Sequence, residues 1–360
     1  VVIGDVGDNG KDVSFDYSFD RLGISSNEDL YYYDGSTLSQ VTDVDLGVCL
    51  DIVWIDGYWM STDGEFLVVS DINDPTSFNP LKYGSSEIDP DPIEALLKLR
   101  NEVNAVNRYT IEKFTNIGGS AFPFQRITGA QIQKGATGTH ACDVFMETIA
   151  FVGGGRNEQP SVYLGINGNA QKIATKEIDE ILKGYTELQL SLIKVESMND
   201  SSGDSLYIHL PDQTLVYDGT TSQAAGIPVW YILSSSIGAK AQYKAQSFVY
   251  VYDRWNVGDP SSTKHGYLSP TVGSHWGQKV TWEFGTSIIY NESNGAIFNE
   301  LELVALTGRN ALGDNSTIST SYSLDGLQWS QPRSIAIGTI GERLKRLRWP
   351  KQGIMRNWRV

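Results

Sequence analysis

The side chains most able to do chemistry in this sequence are four histidines, two cysteines and several groups of acids. His265 and His275 share the loop KHGYLSPTVGSHWG, but no third residue stands at metal-ligand spacing from them. Cys49 and Cys142 are too few for a disulfide framework or a zinc site, and each lies among apolar residues. We therefore predict no catalytic residue, no cofactor and no metal site, with both cysteines reduced and buried.

Acidic side chains cluster in the segments SDINDPTSFNP and SSEIDPDP, where carboxylates could hold a calcium ion. The spacing and the glycine of an EF-hand loop are missing, and turns built from Asn, Asp and Pro are the commoner meaning of such segments. A cation site therefore stays open as an alternative to plain turns. The acids concerned are Asp71, Asp74, Glu87, Asp89 and Asp91.

The stretch SYSLDGLQW, residues 321–329, resembles the Asp-box S-x-D-x-G-x-x-W of sialidase-like propellers, although it is one residue short. In that motif the Asp side chain ties a hairpin and the Trp packs beneath it. A glycosidase also needs a convergent pair of acids, or a tyrosine nucleophile with partners, and the sequence nominates neither. A sialidase-like glycan hydrolase is therefore an alternative and not the main prediction.

Charge is distributed unevenly along the 360 residues, whose formal net charge is −15. Residues 343–360 carry seven basic residues and no acid, which leaves −22 for the first 342 residues. An acidic body argues against wrapping of DNA, because such binding depends on Lys and Arg at the phosphates. The basic end could stack its tryptophans on bases or contact a neighbouring protein. We predict a protein interface formed by Arg343, Lys345, Arg346, Arg348, Trp349, Arg356, Trp358 and Arg359.

The elements that must position these residues are repeated strand–turn–strand units. An Asp-Gly pair between strand-forming residues is a hairpin signal, and YDG occurs in both LYYYDGSTLSQ and LVYDGTTSQ. We interpret the two segments as equivalent hairpins in different blades of a β-propeller, since a blade takes about 40–50 residues. The units begin near Leu30, Tyr58, Arg100, Ser161, Ser205 and Ser247.

The predicted fold is all-β. A β-propeller-like body of antiparallel hairpins is expected over residues 1–293, and a small β-sandwich-like module with a basic end strand over residues 297–360. A single large sandwich is the alternative. Only one helix is predicted, in TKEIDEILKGY, with Thr175 as N-cap and Gly184 just beyond its end.

The N-terminus, VVIGDVGDNGKD, has neither the basic region nor the apolar stretch of a signal peptide. It also lacks an initiator Met, so we expect a processed or truncated chain. No apolar run approaches the roughly 18 residues that a membrane-spanning helix needs.

Several of these stretches together resemble the packaged-DNA stabilisation, or tail hub (nozzle), proteins of short-tailed bacteriophages. They cover most of residues 28–348 in the order found in that family. The resemblance is carried by EDLYYYDG, WIDGYWMSTDGEFLVVSDINDP, RYTIEKFTNIGGSAFPFQRITGAQIQKGATG, PSVYLGINGNAQKIATKEIDEILKGY, LYIHLPDQTLVYDG and STSYSLDGLQWSQPRSIAIGTIGERLKRLRW.

The resemblance implies a structural virion protein without enzymatic activity, assembled in the cytoplasm of the bacterial host. It implies a ring of this chain, six copies in the best-described case, below the portal and its head-to-tail adaptor. Such a ring closes the channel after packaging, retains the genome and supports a tail needle or plug and tailspikes or tail fibres. Double-stranded DNA passes through it without sequence-specific binding. Relative to the family, the chain lacks about one N-terminal blade. A cellular β-propeller that scaffolds partners is a further alternative.

Overall fold

The computed structural model describes residues 2–72, 74–166, 168–236, 241–292, 294–309, 316–356 and 358–360. They form two compact units, Val1–Thr281 and Trp282–Val360. Strands dominate both units, which confirms the predicted all-β class.

The first unit is a six-bladed β-propeller made of antiparallel sheets that follow one another along the chain. Blades 1 to 3 are built from β1 (Ser14–Tyr17), β2 (Leu22–Ser26), β3 (Asp29–Tyr33) and β4 (Leu38–Gln40); β5 (Asp51–Ile55), β6 (Tyr58–Thr62), β7 (Phe66–Asp71) and β8 (Asp74–Ser85); and β9 (Ile93–Leu99), β10 (Glu102–Asn107), β11 (Ile111–Asn116) and β12 (Phe124–Arg126).

Blades 4 to 6 are built from β13 (Gly135–Ala136), β14 (Cys142–Phe145), β15 (Thr148–Gly154), β16 (Ser161–Ile166) and β17 (Asn169–Lys172); β18 (Lys194–Asp200), β19 (Gly203–His209), β20 (Thr214–Asp218) and β21 (Trp230–Leu233); and β22 (Gln246–Val251), β23 (Arg254–Gly258) and β24 (His265–Tyr267). A hairpin of β25 (Ser274–His275) and β26 (Gln278–Lys279) follows. Each of the six repeats predicted from the sequence falls in a different blade, so the propeller prediction is confirmed.

The helices are α1 (Lys176–Lys183), α2 (Glu187–Ser191) and α3 (Gly219–Ala225). The predicted helix is α1, which begins after Thr175, although that side chain makes no capping hydrogen bond. Gly184 follows α1 with φ −71°, so it is not the left-handed cap expected there. The expectation of a single helix was wrong, because α2 and α3 are too short to show a periodic pattern.

The two YDG segments occupy equivalent places, between the third and fourth strands of blades 1 and 5. A side-chain oxygen of Asp34 accepts the Thr37 N–H at 2.7 Å and closes a tight turn. In the second segment Asp218 accepts the Thr221 N–H at 2.7 Å and caps α3 instead. The predicted equivalence is confirmed, but the second connection holds a helix and not a tight hairpin.

The hydrophobic cores of the propeller lie between successive blades. Tyr32 of blade 1 packs on Trp59 of blade 2 with ring centroids 5.1 Å apart, and Phe151 and Leu206 belong to the largest core, which joins blades 3 to 5. Cys49 and Cys142 are buried free thiols, as predicted. Burial raises the pKa of the Cys49 thiol to about 11, so it stays protonated at neutral pH.

The second unit is a set of paired strands around a small core. Its described strands are β27 (Ile289–Tyr290), β28 (Ala296–Leu303), β29 (Thr317–Thr320), β30 (Arg333–Ala336), β31 (Leu347–Met355) and β32 (Trp358–Arg359). They pair β27 with β32, β28 with β31 and β29 with β30. Leu347, Trp349 and Met355 are the buried apolar side chains among its described residues. None of the described helices of the chain is both long and apolar enough to cross a bilayer.

Candidate functional site

The predicted interface residues lie on β31, β32 and the turn before β31. Nε and Nη2 of Arg346 donate to the two carboxylate oxygens of Glu302 in β28, at 2.6 and 2.5 Å. Arg348 makes the same bidentate contact with Glu300, its Nε at 2.6 Å. These hydrogen bonds lower the pKa of both glutamates. The charges of Arg346 and Arg348 are therefore neutralised inside the second unit.

Two of the predicted residues belong to the core of the second unit. The Trp349 indole is buried and its N–H donates to the Arg333 carbonyl at 2.7 Å. Arg359 is also buried; its guanidinium lies 4.0 Å from the centroid of the Tyr322 ring and donates to the Gln352 side chain at 2.9 Å. Burial lowers the pKa of Arg359. These two side chains stabilise the unit from within.

The remaining cations are exposed. Lys345 lies 3.8 Å from Glu342, whereas Arg343 and Arg356 form no ion pair within the described residues. Trp358 pairs through its backbone with Tyr290, and its side chain lies outside the described part of the structure. Fewer of the cations in residues 343–360 are thus free to contact a partner than the sequence suggests. Sequence analysis missed the partners of Arg346 and Arg348. Their signal was the alternation of Glu300 and Glu302 in FNELEL, which places both acids on one face of a strand.

The inner strands of the propeller are β1, β5, β9, β14, β18 and β22, which contact one another in succession. Four of them carry an acid whose side chain accepts a backbone N–H from the inner strand of the next blade; we call these acids the inter-blade carboxylates. The pairs are Asp16 with Trp54 (2.6 Å), Asp51 with Leu96 (2.7 Å), Asp143 with Ser197 (2.6 Å) and Glu196 with Ser247 (2.9 Å). Sequence analysis missed this set; in β5 and β14 its signal is a lone acid in an otherwise apolar strand, whereas β18 is polar and gives no such signal.

Burial shifts the titration of these acids. It raises the pKa of Asp143 to about 6, and it raises the pKa of Asp51 as well. At Glu196 burial acts in the same direction, but the contact with His209, 3.2 Å away, and the charge of Lys194 outweigh it and lower the pKa. The folded protein therefore disfavours the ionised forms of Asp51 and Asp143 and favours the ionised form of Glu196.

A cavity of about 250 Å³ opens where the N-terminal segment meets blades 1 to 4. His140 Nε2 lies 3.1 Å from the Asp12 carbonyl, and Lys11 lies 3.9 Å from Glu28. Burial raises the pKa of Glu94, which also lines the cavity. Within the described residues no three His, Cys, Asp or Glu side chains converge as metal ligands.

The acids considered for calcium have protein partners. Asp71 binds Lys82 at 2.6 Å, Asp89 binds Arg156 at 3.3 Å, and Asp91 accepts the Tyr109 N–H at 2.6 Å. Asp74 accepts the Thr76 N–H at 3.1 Å, and Glu87 lines a surface cavity of about 390 Å³ with Asp89 and Asp91. Turns and ion pairs account for most of these carboxylates.

The segment that resembles an Asp-box has a structural role. Asp325 accepts the N–H groups of Leu327 and Gln328 at 2.9 and 2.7 Å, and so ties the turn. Trp329 is 53% exposed and does not pack beneath the turn as in the motif. The segment supplies a folded turn and no acid for glycoside hydrolysis.

Comparison with known proteins gives two consecutive family matches. Residues 1–273 match the family described as "Bacteriophage P22 Gp10, beta-propeller", and residues 281–360 match "Bacteriophage P22 Gp10, beta-sandwich". The "Tail hub protein gp10" of Salmonella phage P22 is 27% identical over 372 residues, which span 98% of this chain and 77% of that protein.

Two solved structures are similar at lower identity. The extracellular domain of a putative hybrid two component system from B. thetaiotaomicron is 14% identical, with a TM-score of 0.45 over 74% of this chain and 33% of that chain. The Neurospora crassa Pan2 WD40 domain is 10% identical, with a TM-score of 0.44 over 72% of this chain and 75% of that chain. Both TM-scores lie below 0.5, so neither structure informs the function.

Proposed function

Because this chain belongs to the Bacteriophage P22 Gp10 family, in its beta-propeller and its beta-sandwich parts alike, we propose that it is a structural hub protein of a phage tail. The observation that carries the proposal is the match of both family parts, in order, to almost the whole chain. The protein then resides in the virion tail and is assembled in the cytoplasm of the bacterial host.

We propose that copies of the chain form a closed ring, six in number, below the portal and its head-to-tail adaptor. The ring supports a tail needle or plug and tailspikes or tail fibres. The charge division between the units supports contact between copies: residues 282–360 hold nine basic and seven acidic residues, a net +2, which leaves −17 for residues 1–281. Opposite charges on two parts of one chain favour head-to-tail contacts and fix their register. Arg343 and Arg356 are among the exposed cations available for such a contact.

The acidic body suits a conduit that does not grip DNA. A wall rich in Lys and Arg would bind each phosphate and release counterions, which adds friction to genome exit. A wall of like charge repels DNA weakly, over about 8–10 Å near physiological ionic strength. Retention of packaged DNA then depends on a plug or constriction and not on adhesion to the wall.

We propose no enzymatic activity. Asp325, the acid of the motif that first suggested a glycan hydrolase, is used in a turn. A cellular scaffold is disfavoured, because both units match a phage family.

Two measurements test the proposal. Light scattering or native mass spectrometry of the purified chain should give a multimer, and images should show a ring; a chain that stays monomeric at high concentration refutes the hub. Duplex DNA should bind the ring weakly at all salt concentrations. Tight binding that weakens steeply with salt would instead indicate a cationic, DNA-holding lumen.

A further inference from the structure

The last blade of the propeller has fewer strands than the others. Blades 1, 2, 3 and 5 have four strands and blade 4 has five, but blade 6 ends at its third strand, β24, within the described residues. The fourth strands of blades 1 and 3, β4 and β12, have three residues each, so a short segment is enough to complete a blade. Blade 6 therefore offers room for one short strand.

The free edge of β24 presents unused backbone groups. The Leu268 N–H donates to the Trp255 carbonyl at 2.9 Å, and the Asp259 N–H donates to the Lys264 carbonyl at 3.0 Å. Hydrogen-bonded and non-hydrogen-bonded residue pairs alternate in an antiparallel ladder. His265 and Tyr267 are in the non-hydrogen-bonded pairs, so their backbone N–H and C=O groups point away from β23. No described residue forms a hydrogen bond with these groups. Such an edge is a template for another strand.

A segment of the same chain has the properties of the missing strand. Residues 281–288, TWEFGTSI, are all exposed, and no hydrogen bond joins them to any described residue. Trp282 and Phe284, 81% and 56% exposed, alternate with more polar residues and so lie on one side of an extended chain. The segment holds one charge and no proline. Exposed apolar side chains grouped on one surface mark interaction sites in soluble proteins.

We propose that residues 281–288 of one copy add to β24 of a neighbouring copy as the fourth strand of blade 6. This inference rests on the proposed ring and names its intersubunit contact. The donating segment and the accepting edge are different surfaces of one chain, so the contact is head-to-tail and repeats until the ring closes. Trp282 or Phe284 then stands beside Tyr267, and such aromatic cross-strand pairs are favourable. Main-chain hydrogen bonds supply the remaining attraction.

Disulfide trapping tests the pairing in the full chain. Tyr267→Cys is combined in turn with Trp282→Cys and with Phe284→Cys, and one of the two pairs should give a ladder of covalent multimers after mild oxidation, which reduction removes. Cys49 and Cys142 are buried, so they should add little cross-linking of their own. The matched control Tyr267→Cys/Glu283→Cys should give at least about tenfold less ladder, because neighbouring residues face opposite sides of a strand. No ladder from either pair, a control ladder equal to the stronger of the two, or a cross-link confined to single chains would overturn the pairing.

Proline variants separate this inference from the proposed function. Since N–H groups alternate sides, Phe284→Pro or Gly285→Pro must remove a ladder hydrogen bond, and one of them should lower the ring fraction about tenfold or more. The control Val304→Pro, at another exposed and irregular position, should leave the ring fraction unchanged. Rings that survive both segment prolines overturn the strand addition and leave the hub intact. An unaltered chain that forms no ring overturns both.

Discussion

Replacing Asp143 should change how the stability of the propeller depends on pH. Burial raises the pKa of this inter-blade carboxylate from 3.8 to about 6, while its oxygens accept N–H groups from Ser197 at 2.6 Å and Val144 at 2.7 Å. A carboxyl with a raised pKa in the folded state binds protons more tightly there than in the unfolded chain. Its contribution to stability is therefore complete below pH 3.8 and is lost as the pH rises through about 6.

The size of the effect follows from the two pKa values. The contribution of Asp143 to the free energy of unfolding changes by roughly 3 kcal/mol between the fully protonated and fully ionised limits. Between about pH 5 and pH 8 this contribution falls by about 1.4 kcal/mol. An amide at this position does not titrate. The free energy of unfolding of Asp143→Asn minus that of the unaltered protein should therefore rise by about 1.4 kcal/mol from pH 5 to pH 8. Urea titrations at several pH values measure this difference.

The matched control is Asp34→Asn. The backbone N–H groups of Thr37 and Ser36 lower the pKa of Asp34, so this exposed carboxyl titrates below the tested range. Its difference curve should be flat between pH 5 and pH 8. A flat curve for Asp143→Asn as well would refute the reasoning, since it would mean that Asp143 titrates as a solvated carboxyl despite its burial.

Three further predictions concern packing and charge. Gly138→Ala should lower the free energy of unfolding by about 1–3 kcal/mol, because a Cβ there would lie 2.1 Å from the Ser191 carbonyl oxygen. Urea unfolding measures this loss, and an unchanged midpoint would contradict the prediction. Arg348→Glu should lower the melting temperature of the chain through repulsion from Glu300, and the swap Glu300→Arg/Arg348→Glu should restore most of it; a swap no better than the single variant argues against the ion pair. Arg343→Glu/Arg356→Glu should weaken ring formation in light scattering without lowering the melting temperature, whereas a loss of both would place these residues in the fold.

The fold was largely predictable from sequence because its signals are local. Asp-Gly turns and alternating aromatic and β-branched residues mark each blade within a few residues, and the repeats at positions such as Tyr58 and Ser161 identify separate blades. The short helices escaped prediction because α2 depends on a capping box between Thr186 and Gln189, and five residues show no periodicity.

The surfaces were less predictable because their contacts are distant in sequence. The inter-blade carboxylates bind groups 38 to 54 residues away, a separation that no local pattern reports. In the basic end, a run of Arg and Trp indicated one exposed surface. The cross-strand partners of Arg346 and Arg348 lie 44 and 48 residues earlier, so the sequence did not show which cations are already paired.

The inter-blade carboxylates also set how the propeller should respond to force. Each acid binds the blade that follows it, so tension applied to one blade passes to the next in a fixed direction through a charge-assisted bond. The seam between blades 3 and 4 has no such bond among the described residues. There Gly135 packs so closely that a Cβ would lie 1.9 Å from the Asn107 carbonyl oxygen. This seam is held by the core shared by blades 3 to 5 and by the backbone pairing of Ile111 with Ile132. When a single molecule is stretched, we expect the force that parts this seam to depend less on pH than the force at the seams crossed by the inter-blade carboxylates.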